Sequence, residues 1–446
     1  MRDFRRVADA VAGQITAGKL KAGQQLPTQR AFARRHGIAE STAGRVYGEL
    51  ARRGLVVGEV GRGTFVRAAP PAASPALAEP SDARVDLELN YPVVAGQSEL
   101  LGTGLARLAR PDVLAAALRP VGAAGTAAAR AAVAALLGRS GWEPDPGCVL
   151  FAGNGRQAIA AALATLVPAG GRLGVEAFTY PVVKALAGRL GVTLVPVDCD
   201  AAGLVPDALR SAHRAAPLSA VYLQPTLHNP LGVTMPADRR AELAQALREL
   251  DLVAVEDAIW SFLRPDAPPP LAAYAPERVV HADSLSKRLA PGLTTGFAVS
   301  PPGLTDRLAA GLRSGAWTAT GYALEAATGW LTDGTAETIA AAKRADAAER
   351  QRIAADALRG FTLRTDPRAY FCWWELPDPW RADTFVAAAA RRGIAVTPAA
   401  SFAVLPHRTP SALRLGLASP PPPLLRRTLT ALAALARTDP DDAAPD

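Results

Sequence analysis

Residues 279–287 read Val-Val-His-Ala-Asp-Ser-Leu-Ser-Lys. The run over residues 279–282 predicts a buried strand, so Lys287 stands just past a strand end with the hydroxyls of Ser284 and Ser286 beside it. A Schiff base with a phosphorylated aldehyde cofactor needs this setting, because the amine attacks the carbonyl carbon and hydroxyls bind phosphate oxygens. Most lysines are solvated surface charges, so the interpretation depends on the surrounding sequence.

Short apolar runs recur before this stretch, with helix-like segments between them. The alternation predicts an α/β fold with a mainly parallel sheet covered by helices. Residues 371–376 and 395–398, with their flanking helices, predict a smaller α+β domain. The predicted strands of the sheet are 148–152, 171–175, 193–197, 220–224, 252–255 and 279–282.

Polar and aromatic side chains follow three of the other predicted strands. Asp257 comes after residues 252–255, where a carboxylate can pair with a protonated pyridine nitrogen. Asn229 can donate to a ring hydroxyl, and Tyr180 can stack on a flat ring. Ligands bind at the carboxyl ends of strands in such sheets, so we expect these side chains to converge with Lys287. Taken singly, each has a plainer role: a helix cap, a turn residue and a core aromatic.

A glycine-rich turn after another predicted strand opens a helix. Gly155, Arg156 and Gln157 lie at its start, where backbone N–H groups can cradle a phosphate. Arg414 can clamp a carboxylate with two parallel hydrogen bonds, or it can pair with a structural aspartate. The order and spacing of these groups favour one shared site over separate structural roles.

The net charge of the chain is confined to its beginning. Residues 1–67 contain 13 Lys and Arg against 5 Asp and Glu, a balance of +8, which equals the net charge of all 446 residues. The remaining residues therefore sum to zero. A compact basic segment on a large neutral body favours nucleic acid as a partner, although a solvated basic face is the alternative.

The basic segment has the pattern of three helices and a hairpin. Phe4 begins a helical apolar period, and further helices are predicted over residues 27–36 and 41–53. Residues 55–57 and 64–66 predict short strands around a glycine-rich turn. Two helices joined by a tight turn, followed by a two-stranded wing, form a winged helix-turn-helix.

In such a domain the third helix lies in the major groove and the wing lies near a phosphate or the minor groove. The segment also carries a specific set of motifs, and through them it resembles the DNA-binding domain of GntR-type bacterial repressors. These motifs are Gly18-Lys19-Leu20, Leu26-Pro27, His36-Gly37-Ile38, Gly54-Leu55-Val56 and Gly61-Arg62-Gly63-Thr64-Phe65-Val66. The candidate DNA-binding residues are Arg30, Ser41, Thr42, Arg45, Arg62 and Thr64. Glu40 and Gly44 stand where relatives often place arginines, so the operator sequence does not carry over.

From about residue 85 to 435 the chain resembles fold type I aminotransferases, which bind pyridoxal 5′-phosphate (PLP). The resemblance implies that Lys287 is the Schiff-base lysine, that Asp257 pairs with the pyridine nitrogen and that Arg414 holds a substrate carboxylate. It also implies ring contacts from Asn229 and Tyr180. The residues implied at the phosphate are Gly155, Arg156, Gln157, Ser284 and Ser286.

Three positions depart from the aminotransferase pattern. Trp260 replaces a tyrosine that bonds the ring oxygen, and tryptophan donates only through its indole N–H. Thr294 replaces an arginine that neutralises the phosphate, and Pro120 stands where a partner subunit usually supplies a tyrosine. The residues expected to contact the ring are kept, whereas several of those expected to bind the phosphate and to move protons are replaced. This pattern favours a sensor over a fast catalyst.

A GntR-like head on an aminotransferase-like body resembles the MocR (GabR-type) regulators. The resemblance implies a homodimeric, PLP-dependent transcriptional regulator that binds a double-stranded DNA operator. PLP itself on Lys287 as an internal aldimine, or an amino-acid-type effector as an external aldimine, would shift the arrangement of head and body. The alternatives are an active aminotransferase with an accessory DNA-binding head, and a DNA-binding protein whose body is a scaffold without cofactor.

Composition limits the remaining possibilities. The three cysteines are far apart, without metal-type spacing, which favours a reducing compartment. The N-terminus lacks the apolar stretch of a signal peptide, and no apolar run is long enough to span a bilayer, so we expect a soluble, cytoplasmic protein. The expected divisions are a head (1–67), a proline-rich linker (68–84), a PLP- and effector-binding body (85–437) and an acidic tail (438–446).

Overall fold

The structure is a computed structural model that describes residues 4–16, 19–21, 23–59, 62–67, 83–138, 142–405 and 409–440. The predicted linker lies outside these residues except for its last two, and so does the tail from residue 441. The chain forms two compact units. One contains residues 1–89, 353–364 and 372–446, and the other contains residues 90–352 and 365–371.

The head, in the first unit, has three helices and a hairpin, as the sequence predicts. Thr28 caps the second helix, where its side chain accepts a hydrogen bond from the N–H of Ala31. Gly37 ends that helix with a φ of 61°, in the left-handed region that glycine adopts without steric cost. The Tyr47 hydroxyl donates to the Pro27 carbonyl at 2.6 Å, so the one polar atom of this buried ring is satisfied. The elements are α1 (Phe4–Thr16), α2 (Gln29–His36), α3 (Glu40–Arg52), β1 (Val56–Glu59) and β2 (Gly63–Val66).

Past the head, a two-residue strand, β3 (Val85–Asp86), pairs with a later part of the same unit. The second unit then begins with helices that precede its sheet. These are α4 (Gln97–Leu108), α5 (Pro111–Ala117) and α6 (Ala127–Gly138).

The second unit is built on a seven-stranded sheet in the order β4-β12-β11-β10-β9-β5-β6. Its strands are parallel except for β12, which runs antiparallel to both neighbours. Strands β9, β10 and β11 are buried along their whole length, as expected for a parallel sheet covered on both faces. The predicted fold class is therefore confirmed. The strands are β4 (Val149–Ala152), β5 (Arg172–Glu176), β6 (Thr193–Val197), β9 (Ala220–Leu223), β10 (Ala254–Asp257), β11 (Val279–Ser284) and β12 (Gly296–Val299), with a small hairpin of β7 (Cys199–Asp200) and β8 (Gly203–Leu204).

Helices alternate with the strands of this sheet. Gly296 of β12 lies so close to the start of α7 that a Cβ there would come within 2.3 Å of the Asn154 backbone, so this approach needs glycine. The helices are α7 (Gly155–Leu166), α8 (Pro181–Leu190), α9 (Pro206–Ala215), α10 (Ala237–Glu249), α11 (Leu271–Tyr274), α12 (Leu285–Arg288), α13 (Thr305–Ser314), α14 (Gly321–Thr332) and α15 (Thr335–Ala357).

The remainder of the first unit is the smaller α+β domain that the sequence predicts, and we call it the small domain. Its core contains three aromatic rings, in which Phe385 meets Trp374 and Trp380 edge to face at 5.4 and 5.0 Å between centroids. A four-stranded sheet has the order β13-β14-β17-β16, and β15 pairs with β3. The elements are β13 (Thr362–Arg364), β14 (Phe371–Glu375), α16 (Ala382–Arg391), β15 (Ile394–Ala395), β16 (Thr397–Pro398), β17 (Ala412–Gly416) and α17 (Pro422–Ala436).

Among the described helices, none combines the length and the apolar character that a membrane span requires.

Candidate functional site

Lys287 lies on the short helix that follows β11. Its ammonium donates to the Asn90 carbonyl and lies 4.6 Å from the ring centroid of Tyr91 and 5.4 Å from that of Trp260. A cation between aromatic faces is held by the negative potential of the rings as well as by the hydrogen bond. The amine is thus fixed at the carboxyl end of the sheet. Asn90 and Tyr91 come from the distant chain before α4, and no local pattern in the sequence marks them.

Three hydroxyl groups form a chain beside this helix. Ser284 Oγ donates to Ser286 Oγ at 3.0 Å, and Ser286 Oγ lies 2.8 Å from Thr294 Oγ1. The start of α7 is next to them, since a Cβ on Gly155 would come within 3.1 Å of Ser284 Oγ. Hydroxyls beside a helix N-terminus form an anion-binding arrangement. The threonine that stands in place of the expected arginine is part of this chain.

Two arginines, Arg156 and Arg288, lie on helices that begin at the site and could supply the charge that is missing at position 294. Arg288 is buried, 3.6 Å from the Asp283 carboxylate and over the ring of Phe262, so its charge is already balanced. Arg156 is exposed at the start of α7, and the neighbouring Tyr180 hydroxyl raises its pKa. Of the two, Arg156 is the cation that remains on the open side of the site.

Asp257 ends β10 and is 3% exposed. Its Oδ2 accepts from the Tyr222 hydroxyl at 2.6 Å and from Gln224 Nε2 at 2.7 Å, and its Oδ1 accepts from the Ile259 N–H at 3.2 Å. Burial raises its pKa, and these three hydrogen bonds oppose the rise. The carboxylate is therefore held in place by neutral donors, and a cationic partner would relieve its desolvation.

Asn229 is joined to Asp257 through Gln224. The Gln224 side chain donates to Asp257, and its Oε1 accepts from the Asn229 N–H at 3.1 Å. Asn229 is 8% exposed, and its Oδ1 has no hydrogen-bond partner. Gln224 and Tyr222 are not among the residues predicted from the sequence; their only local signal is two polar side chains, two positions apart, in and just after a buried apolar strand.

A buried ion pair supports the loop that holds Asn229. His228 Nε2 lies 3.2 Å from Glu176 Oε2 and 2.9 Å from the Phe178 carbonyl. Burial lowers the pKa of His228, but the interaction with the Glu176 carboxylate and the Phe178 carbonyl outweighs this effect, so the pKa is raised overall. The same carboxylate oxygen accepts from the Gln224 N–H at 3.1 Å. One carboxylate thus connects the end of β5 to the loop after β9.

The other departures have separate positions. Trp260 is 5% exposed and packs on Tyr370 and Phe371, with ring centroids 6.3 and 5.7 Å away. It therefore serves as a wall beside Lys287. Pro120 is exposed.

Arg414 belongs to the first unit, on β17 of the small domain. It is 8% exposed, its Nη2 donates to the Glu88 carbonyl at 2.6 Å, and its guanidinium lies 5.3 Å from the Phe402 ring centroid. Burial raises the pKa of Glu88, and Arg414 opposes this rise. The guanidinium is thus oriented by the backbone of its own unit.

The predicted DNA-binding residues lie on one helix-turn-helix and its wing. Arg30 and Ser41 are exposed, and Thr42 is half-buried. The Arg45 guanidinium lies 4.1 Å from the ring centroid of Phe4, which fixes its direction on the surface of α3. Thr64 is half-buried on β2.

Arg62 has a different environment from these residues. Its guanidinium donates to the carbonyls of Pro379 and Trp380 at 3.3 Å and lies 3.4 Å from the Asp378 carboxylate. The small domain therefore binds the wing arginine that the sequence analysis assigns to DNA. The described residues contain no cluster of three or more His, Cys, Asp or Glu side chains that could hold a metal ion.

Comparison with protein families covers most of the chain. The family "Aminotransferase class I and II" matches residues 120–432, and "Bacterial regulatory proteins, gntR family" matches residues 4–66. An uncharacterized HTH-type transcriptional regulator, YdeF of Bacillus subtilis, is 28% identical over 94% of this chain and 90% of its own. The HTH-type regulator TauR of Rhodobacter capsulatus is 29% identical over 66% of this chain and 67% of its own.

Solved structures share the fold of the larger part of the chain. The kynurenine aminotransferase of Pyrococcus horikoshii has a TM-score of 0.73 and 23% identity over 80% of this chain and 91% of that one. LysN, the α-aminoadipate aminotransferase of Thermus thermophilus, has a TM-score of 0.71 and 23% identity over 79% of this chain and 92% of that one. At this identity the similarity shows the fold alone.

Proposed function

The chain belongs to the aminotransferase class I and II family and carries a gntR-family head, and we propose that it is a DNA-binding transcriptional regulator that senses PLP or an amino-acid-type effector at Lys287. This combination of two domains is that of the MocR-type regulators. The single observation that carries the proposal is the environment of Lys287. The half-buried Lys287 amine, between two aromatic rings, shares the carboxyl end of one sheet with a desolvated carboxylate and a chain of hydroxyls.

The residues present fit PLP. Asp257 is buried among neutral donors, and its carboxylate can accept a further hydrogen bond from a pyridinium N–H. The buried Asn229 Oδ1 has no hydrogen-bond partner. The hydroxyls of Ser284, Ser286 and Thr294 suit a phosphate group. When bound, PLP supplies an electron-withdrawing ring that weakens bonds at the α-carbon of an amino acid.

Each side chain then has one task in the proposed site. Lys287 binds the cofactor aldehyde, and Asp257 keeps a proton on the ring nitrogen. Asn229 holds the ring oxygen, and Tyr180 covers the ring. Gly155, Arg156 and Gln157 lie at the phosphate with the hydroxyl chain, and Arg156 provides the positive charge there.

The effector and the DNA are bound by different parts of the chain in this proposal. Arg414 receives the carboxylate of an amino-acid effector, because its guanidinium offers parallel donors. Arg30, Ser41, Thr42, Arg45, Arg62 and Thr64 bind the operator. Effector binding shifts the population between head arrangements of high and low DNA affinity. Such a function places the protein in the cytoplasm, with the DNA.

We further propose that the protein is a homodimer. Several large apolar side chains of the second unit are exposed, among them Leu118 at 77% and Tyr322 at 46%. Gly321, at the start of α14, packs against the Ala117 and Arg119 carbonyls, so Tyr322 and Leu118 come from elements in contact. A second copy of the chain would cover this apolar surface.

DNA binding in the presence of the cofactor tests the proposal. The affinity of the full chain for a fluorescent duplex from upstream of its own gene is measured with and without PLP, for the natural protein and for Lys287→Ala. We expect PLP to change the affinity of the natural protein several-fold and to leave that of Lys287→Ala unchanged. An identical response of both proteins would contradict sensing through Lys287.

The alternative of an active aminotransferase shares the same site residues. The absence of an arginine at position 294 and of a tyrosine at position 260 weakens the phosphate and proton-transfer parts that fast turnover needs. Turnover with pairs of amino acids and 2-oxo acids distinguishes a regulator from an enzyme. Sustained conversion at a rate comparable with that of aminotransferases without a DNA-binding head would support the enzyme.

A further inference from the structure

Lys343 is a fully buried lysine beside the candidate site. It lies on α15 and is 0% exposed. Its ammonium donates to the carbonyl of Lys287 at 2.9 Å and to the carbonyl of Leu289. A lysine without contact to solvent is rare unless it is paired, so its retention in the core needs a reason.

The two carbonyls belong to the end of the helix that carries Lys287. Helix α12 has only four residues, and the last carbonyls of a helix have no N–H partner within it. Gln97 Nε2 also donates to the Leu289 carbonyl at 3.2 Å. The ammonium of Lys343 therefore closes this helix end from the side, where a longer helix would supply its own N–H groups.

The charge of Lys343 is only partly compensated. Burial lowers its pKa to about 7; the Asp346 carboxylate opposes this change and Arg288 adds to it. Asp346 is itself shared, because its Oδ2 accepts from the Tyr370 hydroxyl at 2.8 Å and from Arg350 Nε at 2.8 Å. A core that needed only stability would be served as well or better by an apolar side chain of similar volume.

We propose that Lys343 is a positioning residue, which holds the backbone of Lys287 so that the Lys287 amine stays between Tyr91 and Trp260. This inference rests on the proposed function, because it assumes that Lys287 binds the cofactor. Without the two donated hydrogen bonds, the carbonyls of Lys287 and Leu289 rearrange toward other donors. The amine then leaves its place on the two rings.

The test measures PLP affinity by absorbance and phosphopyridoxyl adduct on Lys287 after borohydride reduction, together with thermal unfolding. Lys343→Met removes the donors, and Lys343→Arg keeps charged donors. Lys184→Met is the control for the loss of a half-buried lysine, on α8. We expect at least a tenfold loss of affinity in Lys343→Met, recovery in Lys343→Arg to within threefold and no change in Lys184→Met.

Two results overturn the inference: natural affinity in Lys343→Met, or the same loss of affinity in Lys343→Arg as in Lys343→Met. If Lys343→Met does not fold, Lys343→Gln takes its place: its amide nitrogen stands one atom closer to the backbone than the ammonium and so cannot reach both carbonyls, and a measurable loss is again expected. No adduct in the natural protein overturns the proposed function itself. The natural protein thus separates the two failures.

An independent set of contacts joins the wing of the head to the small domain, within the first unit. Glu59, at the end of β1, forms a backbone bridge with Thr409, and Thr409 Oγ1 donates to the Gly58 carbonyl at 3.0 Å. Arg62 donates to the backbone of Pro379 and Trp380 at 3.3 Å. The wing is thus bound along one edge and at its tip.

Arg381 binds the wing from the side of the small domain. Its Nη1 donates to the Gly23 carbonyl at 2.5 Å, and its guanidinium lies 4.4 Å from the Phe65 ring centroid. The contact buries Glu59, which is 6% exposed, with neither carboxylate oxygen hydrogen-bonded. The guanidinium groups of Arg62 and Arg381 lie 3.6 and 3.9 Å from its oxygens, outside hydrogen-bond distance, so they compensate its burial only in part. The remaining cost of burying Glu59 opposes docking.

From these contacts we infer that the docked wing is an autoinhibited state of the head. In the docked wing, Nη1 and Nη2 of Arg62 both donate to carbonyls of the small domain, so this pair of donors is not available for a bidentate contact to a phosphate. DNA binding by the wing therefore requires that Arg62 leave Pro379 and Trp380. The small domain competes with DNA for one arginine.

A disulfide between positions 59 and 409 tests this directly. Residues paired across a backbone bridge have Cα separations within the disulfide range, so Glu59→Cys with Thr409→Cys locks the wing. Cys199→Ser in the background removes the exposed natural thiol, since Cys148 and Cys372 are buried. Affinity for the fluorescent upstream duplex is measured before and after reduction, with both single-cysteine proteins as controls.

We expect the oxidised protein to bind the duplex at least tenfold more weakly than the same protein after reduction. The single-cysteine proteins should show no difference between the two conditions. Equal affinity of the oxidised and reduced forms overturns the inference. A disulfide that forms only between two copies also overturns it, because the wing then docks on another chain.

Discussion

Ser286 Oγ lies 2.8 Å from Thr294 Oγ1, at the position where an arginine was expected. The hydroxyl chain that ends at Thr294 is neutral, so in the proposed site a phosphate dianion meets neutral hydroxyl donors, and we assign the compensating charge to Arg156. This weak neutralisation of the phosphate suits a sensor, because a sensor must release its ligand when the ligand concentration falls. A catalyst that never releases its cofactor has no such need.

The neutral hydroxyl predicts that Thr294→Arg tightens PLP binding. A charge-assisted bidentate contact to phosphate contributes about 1.5–3 kcal/mol, which corresponds to roughly ten- to a hundredfold in affinity. Equilibrium absorbance titration measures the change. Thr294→Ser, which keeps the hydroxyl, serves as control and should match the natural protein; no gain in Thr294→Arg would contradict a phosphate at this position.

Asp257 gives a second prediction. Asp257→Asn keeps the size of the side chain but removes the negative charge, so it cannot stabilise a protonated ring nitrogen. We expect PLP affinity to fall at least tenfold. Tyr222→Phe removes only one of the hydrogen bonds to the same carboxylate and should cause a smaller loss. An equal or larger loss in Tyr222→Phe would indicate that the carboxylate acts through the fold instead of the ring.

Arg414 tests the effector. Arg414→Ala should abolish the amino-acid response of DNA binding while the affinity for DNA without effector stays unchanged. Arg414→Lys keeps the charge but loses the paired donors, so a partial response is expected. Fluorescence anisotropy with the upstream duplex measures both quantities. A full effector response in Arg414→Ala would show that the carboxylate is bound elsewhere.

Glu59 predicts a pH dependence of wing docking. Burial raises the pKa of Glu59 to about 7 in the docked state; Asp383 adds to this rise, Arg381 and Arg62 oppose it, and Asp378 adds slightly. Docking therefore favours the protonated acid. It is strongest below the ordinary pKa of about 4.5, weakens as the pH rises toward 7 and is constant above that value.

Hydrogen exchange of the β1 and β2 amides between pH 5 and 8, corrected for intrinsic exchange, measures this dependence. Protection should decrease as the pH rises. Glu59→Gln, which cannot ionise, should show protection that is independent of pH. A natural protein whose protection is constant over this range would exclude Glu59 as the titrating group.

Much of the site could be predicted from the sequence because its residues follow strand ends. The apolar runs 252–255 and 279–282 indicate β10 and β11 but stop two residues before these strands end, so Asp257 and Ser284 are the last residues of their strands and Lys287 follows shortly after. Their convergence follows from the common direction of parallel strands. The roles assigned to these residues stay predictions.

Other features depend on contacts between distant segments. Lys343 lies on a long helix among other charged residues, and nothing local distinguishes it from a solvated lysine. Gln224 can be assigned to Asp257 only from the pairing of β9 with β10, which brings the two side chains together. The partners of Arg62 lie more than 300 positions away, so a local motif could suggest DNA but not the competing carbonyls.

The measurement that tests the central claim most directly is borohydride reduction of the purified protein after incubation with PLP, followed by intact mass and peptide mapping. The account predicts one phosphopyridoxyl adduct, located on Lys287 and absent from Lys287→Ala. No adduct at saturating PLP, or an adduct distributed over the other lysines, would contradict it. The body would then be a scaffold or a sensor of a different ligand.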